Sequence, residues 1–323
     1  VDFVVPILHA FAAMALAIVL HIILHEGGHL LMGLATGYRF SSFRIASIAF
    51  VRKDGQIRVR RYKLAGTGGQ CLMLPPEMPV EQVPFFWYNA GGVIMNVVFA
   101  LFPLVLLMKC NLTVWWSSWC IMMVIVGFSL AMLNGIPMRL GGMQNDGMNI
   151  LILFRTPEKR KDFVRQLQIA VTATEGKRVN EMPAEWFDCD SVDDYRELLR
   201  LASRLNHQAR LIDEGRFLEA HASVEDLLKH FSELPQIVQF ELAGEYVFTE
   251  CLTEGRKEVI EKYWTKKQSN YVKTSARFSS SKQRTTCTMA STSRMWLRNL
   301  LPRPSPWLAP FTRPAMSTNS MVV

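Results

Sequence analysis

Residues 3–29 read FVVPILHAFAAMALAIVLHIILHEGGH, and this stretch decides the fold. From Phe3 to Leu24 it holds no Asp, Glu, Lys or Arg, which is the pattern of a helix that crosses a bilayer. It closes on His25-Glu26-Gly27-Gly28-His29. A helix puts residues four apart on one face, so both imidazoles can reach one metal ion with Glu26 beside it. Two histidines and a carboxylate around Zn²⁺, with a glutamate to take a proton from water, are the parts of a zinc hydrolase. Ionisable groups at membrane depth are costly and usually functional.

The two glycines sharpen this reading. Each costs about 1 kcal/mol inside a helix, so both predict a close approach to the backbone. His21, one turn before His25, is read as a buried side chain, either behind the site or without a role; His9 is read as a lone histidine with no partner. A third ligand is expected downstream. Asp146, in Asn145-Asp146-Gly147, is the only acid between Glu81 and Glu158. A carboxylate near the membrane boundary needs a partner, and two histidines with a metal supply one. Its bland role is to cap a helix over Met148–Phe154, and both roles are compatible.

Three spans have the length and composition of transmembrane helices: Phe3–Leu34, Tyr88–Met108 and Leu112–Asn134. The first is too long and wrongly flanked for a cleaved signal peptide, and the start at Val1 implies a missing N-terminal piece. Residues 37–84 carry eight Lys/Arg, against Lys109 alone between the second and third spans. The positive-inside rule then places the HEGGH end near the cytoplasmic face of a multi-pass protein, expected in a bacterial cell membrane. Trp115, Trp116 and Trp119 read equally as an outer aromatic belt or as core. Six cysteines without C-x-x-C spacing exclude a disulfide framework and fit a reducing face. The net charge of +8 does not imply nucleic acid as a partner. Residues 1–261 hold 25 basic and 28 acidic side chains, a net of −3, so the basic excess belongs to the tail.

The expected fold is mainly α, with five regions. Residues 1–36 form the first transmembrane helix with HEGGH. Residues 37–87 form a membrane-associated β-hairpin and loop on the cytoplasmic face, with strands Phe40–Val51 and Gln56–Leu64 around the Asp54-Gly55 turn. Gly66–Gly69 and Pro75-Pro76 read as irregular loop. The hairpin is either a scaffold at the membrane surface or an edge that receives an extended substrate. Residues 88–156 hold the second and third transmembrane helices and the Asp-Gly segment. Residues 157–268 form a cytosolic helical region with Tyr195–His207, Leu211–Ala220, Ser223–Phe231, Gln236–Leu252 and Lys257–Trp264 as helices. It resembles tetratricopeptide pairs or an ordinary helical domain, with a protein partner expected for the former. Residues 269–323 read as a disordered tail, or as a frame-shifted one, because a shifted frame over Thr285–Leu297 continues the helical pattern.

His25-Glu26-Gly27-Gly28-His29, Asn145-Asp146-Gly147 and, between them, Gly91-Gly92-Val93-Ile94-Met95-Asn96-Val97-Val98-Phe99-Ala100 together resemble the motifs of the site-2 protease family of intramembrane zinc metalloproteases. That family has H-E-x-x-H on a transmembrane helix, an Asp-Gly ligand motif later, and G-G-P-x-x-N-x-x-x-A between. Val93 replaces the proline, and Asn145 replaces the leucine common before Asp-Gly. The resemblance covers residues 15–150. It implies a three-helix metalloprotease core, Zn²⁺ as cofactor, His25, His29 and Asp146 as ligands, Glu26 as general base, and Asn96 as a contact for substrate or oxyanion. By chemistry alone, Asn96 or Asn134 serves equally as an interhelical hydrogen-bonding group. The implied activity is hydrolysis of a peptide bond within or beside a transmembrane segment of a membrane-anchored substrate. The rival is a sensor or transporter that binds metal without hydrolysis, which has no need of Glu26; a third reading is a membrane-anchored scaffold.

Overall fold

The structure is a computed structural model and describes residues 4–61, 68–140, 143–189, 195 and 197–276. It is mainly helical. Three helices are long and apolar enough to cross a membrane: α1 (Val4–Ala35), α2 (Phe85–Lys109) and α3 (Val114–Gly135). Each lies within a few residues of its expected span. Long apolar segments become helices because only an internal ladder satisfies backbone N–H and C=O groups away from water. Most of their apolar side chains, Leu8, Phe11 and Phe102 among them, face outward. Such faces are normal only where lipid or a partner covers them.

The three helices pack on one another. Small residues set their spacing. A Cβ on Gly28 would fall 2.1 Å from the carbonyl oxygen of Gly91, so α1 and α2 touch backbone to backbone there. Gly27 meets nothing within 4 Å, so the expectation of a close approach holds for one glycine of the pair only. Trp119 packs beside Ala17, Met123 and Val126, whereas Trp115 and Trp116 are exposed. His9 is not alone: its Nε2 lies 3.3 Å from the Trp115 carbonyl, and its ring meets that indole edge-on.

The expected hairpin is a four-stranded antiparallel sheet in the order β3-β2-β1-β4. Its strands are β1 (Arg39–Ile45), β2 (Ile48–Lys53), β3 (Gln56–Arg61) and β4 (Gly69–Leu74). The Asp54-Gly55 turn is present, with φ of 53° and 77° between paired Lys53 and Gln56. The single strand Phe40–Val51 is corrected. It breaks at Ala46, whose φ is 49°, and turns back so that Ile45 pairs with Ile48. Gly69, the last residue of the first run read as loop, instead begins the fourth strand, which is bonded to β1. Leu64, Gly66 and Thr67 lie outside the described residues.

After α3, the short strands β5 (Arg139–Leu140) and β6 (Met143–Gln144) lead into α4 (Asp146–Arg155), then α5 (Lys159–Thr174). One core joins Tyr38, Met73, Phe85, Tyr88 and Leu153 to Phe163 and Val164 of α5. The change of composition near Thr156 therefore does not end the compact unit. That unit runs to His207, and the second begins at Gln208, within α6 (Leu198–Asp213).

The second unit contains α7 (Phe217–Leu228), α8 (Gln236–Leu252), α9 (Lys257–Tyr263) and α10 (Lys266–Ala276). The expected helix Leu211–Ala220 is corrected: Gly215, at φ 78°, separates the end of α6 from α7. The expected helix from Ser223 is the continuation of α7. Helix α10 shows that order extends beyond 269; the rest of the expected tail lies outside the described residues.

Candidate metal centre

Helix α1 carries His25, Glu26 and His29 within its last three turns, and all three are buried or nearly so. The Nε2 atoms of His25 and His29 are 3.1 Å apart. Asp146, the first residue of α4, brings its Oδ2 to 3.2 Å from His25 Nε2 and 3.5 Å from His29 Nε2. Zinc bonds of ~2.0–2.1 Å at tetrahedral angles place donor atoms ~3.3 Å apart, and the three edges here bracket that value. Asp146 Oδ2 is buried and takes no hydrogen bond of regular geometry, which is the environment of a carboxylate oxygen meant for a cation. The three residues are the group among the described residues able to hold a metal.

Asp146 owes its position to a residue that sequence reasoning passed over. Asn145, not Asp146, caps α4: its Oδ1 accepts from Met148 N at 2.9 Å and Met138 N at 3.1 Å. Its Nδ2 donates to the carbonyls of Leu133 at 2.7 Å and Ile136 at 2.6 Å, groups that the end of α3 leaves without helical partners. A Cβ on Gly147 would fall 2.1 Å from the Gly135 oxygen, so the ligand helix starts against the end of α3. Burial works against the charge on Asp146, and the imidazoles of His25 and His29 outweigh it, holding the carboxyl well below the usual carboxylate range.

The rest of the site fixes the ligands' orientation. His29 Nδ1 lies 2.7 Å from the Tyr88 carbonyl, which can only accept. Nδ1 therefore carries the proton, and Nε2 is left with its lone pair towards Asp146. Tyr88 is itself held by its hydroxyl, which donates to the Cys71 carbonyl at 2.8 Å, and by stacking on Tyr38. A Cβ on Gly92 would meet the His25 ring at 2.4 Å, so α2 leaves room there for the ligand.

Glu26 packs against β4: a Cβ on Gly69 would fall 2.6 Å from its Oε1, and the Cys71 backbone N–H bonds its carboxylate. Buried Arg44 lies within electrostatic reach of Glu26 and donates to the Ala46 carbonyl at 2.8 Å. Burial pushes the Cys71 thiol up to about 12, with the charge of Glu26 adding to it, so no thiolate competes with the histidines.

The two asparagines are placed differently. Asn96 is fully buried between two histidines, with Oδ1 3.1 Å from His21 Nδ1 and Nδ2 3.2 Å from His25 Nδ1. Both ends bond histidines of α1, which is the interhelical role. Asn134 donates to the Leu130 carbonyl of its own helix at 3.0 Å and is not part of the cluster. Tyr88 and Asn145 are the residues that sequence reasoning did not assign, whereas His21 is buried as expected and is linked to His25 through Asn96. Comparison with protein families, with curated proteins and with solved structures finds no match for this chain.

Proposed function

We propose that the chain is a membrane-embedded zinc endopeptidase, similar in mechanism to the site-2 proteases, that hydrolyses a peptide bond within or beside a transmembrane segment of its substrate. The observation that carries this reading is the convergence of His25, His29 and Asp146 at 3.1–3.5 Å, with Glu26 on the same helix. When held by these three groups, Zn²⁺ supplies Lewis-acid activation of water and of the scissile carbonyl.

The protein's own groups do the rest. Glu26 accepts the proton of the attacking water and passes it to the leaving amine. Burial of Glu26 and His29 excludes bulk water and strengthens each electrostatic contact. A helical substrate hides its backbone bonds, so the scissile segment has to unwind to reach the centre. The strand nearest the centre is β4, but its outer edge is engaged at Cys71 by Glu26 and Tyr88. Addition of a substrate strand to the open edge falls instead to β3, whose residues are all exposed.

Orientation in a cell membrane with the centre near the cytoplasmic face, and recruitment of a protein through the second unit, belong to the same proposal. A purified Glu26→Gln variant should retain one Zn²⁺ per chain and lose cleavage of a membrane-peptide reporter by at least about 10²-fold. Retained turnover would remove Glu26 as the base. Zinc binding without turnover in the wild type, against membrane peptides of varied sequence, would favour the sensor or transporter.

A further inference from the structure

His21 is an imidazole with no exposed surface, a full turn from the nearest ligand, at a depth where apolar side chains are the rule. Room has been made for it. A Cβ on Gly127 of α3 would meet its Cε1 at 2.5 Å and its Nε2 at 2.7 Å. Its Nε2 lies 3.0 Å from the Met123 carbonyl, and its Nδ1 lies 3.1 Å from the Asn96 amide, whose other end reaches His25.

The direction of this chain follows from what each atom can do. The Met123 carbonyl only accepts, so His21 Nε2 carries the proton and, in a neutral ring, Nδ1 offers a lone pair. A lone pair requires a donor opposite it. The Asn96 amide meets that need after a half-turn, with Nδ2 towards His21 and Oδ1 towards His25; the exchange moves no other heavy atom. Oδ1 only accepts, so His25 Nδ1 must then carry the proton, and His25 Nε2 presents its lone pair to Asp146 and His29. The opposite orientation, with Nδ2 facing His25 Nδ1, leaves the proton of a neutral His25 on Nε2, where it blocks metal.

We propose that His21 is a positioning residue that fixes the metal-binding tautomer of His25 through the Asn96 amide. Met123, His21, Asn96 and His25 form one hydrogen-bonded line across three helices, and only one polarity of that line leaves the ligand nitrogen free. The inference rests on the reading of His25, His29 and Asp146 as a metal centre. It adds that the affinity of the centre is set in part from α3, by a carbonyl that never approaches the ion. Partners of this kind typically alter metal affinity by about 10–100-fold.

The test is zinc affinity of the purified full-length chain, measured by competition with a chromophoric chelator, beside its melting temperature. His21→Leu should weaken Zn²⁺ binding by about 10–100-fold. His21→Asn, which keeps an acceptor near Asn96, should recover part of the loss. In an Asn96→Ala background, His21→Leu should cause no further loss of affinity, although its effect on melting persists. Gly127→Ala, which pushes the ring off the Met123 carbonyl, should reproduce the defect if His21→Leu does not fold. Nitrogen NMR of the zinc-loaded wild type should show the His25 proton on Nδ1. Unchanged affinity in folded His21→Leu, losses that multiply in the double variant, or a His25 proton on Nε2 would each overturn the inference while leaving the metal centre intact. A wild type holding no zinc that His25→Ala removes would overturn both.

Discussion

Asn145 shows how much of a site depends on a side chain that never touches the ion. Its four hydrogen bonds tie the N-terminus of α4 to the C-terminus of α3, and the next residue is the ligand Asp146. Asn145→Ala removes the cap and uncovers two carbonyls. It should cost about 1–3 kcal/mol in stability and about 10–100-fold in zinc affinity, read by melting and chelator competition. Asn145→Asp keeps the acceptor of the cap but not the donor to Leu133 and Ile136, so it should fall between the two. An affinity unchanged in both variants would show that Asp146 is held by other means. Residue type made His25, Glu26, His29 and Asp146 readable as candidates, because buried charge in an apolar helix demands a reason. The same reasoning could not divide Asn145 from Asp146 as the cap, since both residue types cap helices equally well. Nor could it pair His21 with Asn96, because that contact joins positions 75 residues apart.

At the level of elements, legibility followed the strength of the local signal. The three long helices were visible because apolarity over more than twenty residues has one solution in lipid. The Asp54-Gly55 turn was visible because both residue types tolerate positive φ. The turn at Ala46 was not, since alanine rarely adopts that conformation and gives no sign of it. Strand β4 was hidden behind a glycine-rich run, and its pairing with β1 is a choice made by the folded sheet. The seam between α1 and α2 allows a matched test. Gly28→Ala puts a methyl 2.1 Å from the Gly91 oxygen, which has nowhere to move except with its helix. The helices must separate beside His29 and the Tyr88 carbonyl that orients it, so stability should fall by about 1–3 kcal/mol and zinc affinity with it. Gly27→Ala adds a methyl in open space and should be neutral, or stabilising by up to about 1 kcal/mol through helix propensity. Thermal melts of the two variants in the same detergent decide it, and equal behaviour would mean that the seam does not set the spacing.

Across the whole molecule, the candidate site residues all lie in the first unit, whose apolar core is accompanied by ion pairs at buried Asp162 and Glu197. The second unit combines the same two kinds of contact. Its apolar core includes Leu211, Ile212, Ala220 and Phe248, the buried Val224, Leu227 and Leu242, and Val247 with Ile260. It also holds an ionic knot that composition could not reveal. Arg256 Nη2 stands 2.9 Å from Glu250 and 3.1 Å from Glu225, and His221 Nε2 lies 3.3 Å from the Glu250 carboxylate. Glu250 has no exposed surface and also accepts the Arg256 backbone N–H at 2.7 Å, which closes the turn at Gly255. Burial opposes its charge, but the Arg256 guanidinium and backbone outweigh it and hold the carboxyl below its ordinary 4.5. Glu225 is shifted the same way: burial raises it, but the Tyr246 hydroxyl and Arg256 outweigh that and lower it. A depressed folded-state value means that the unfolded chain binds more protons in mild acid, so stability rises with pH there. The contribution is complete above 4.5 and is lost as pH falls through the folded-state value. Glu250→Gln should therefore destabilise the second unit by about 1–3 kcal/mol at pH 7. The gap between variant and wild type should narrow steadily below pH 4.5. Hydrogen exchange over α7 to α9 in the full-length chain, corrected for intrinsic rates, measures that gap without requiring the unit to be excised. A gap that stays constant down to pH 3 would mean that the knot contributes by packing alone, and that the Glu250 charge is incidental to the fold.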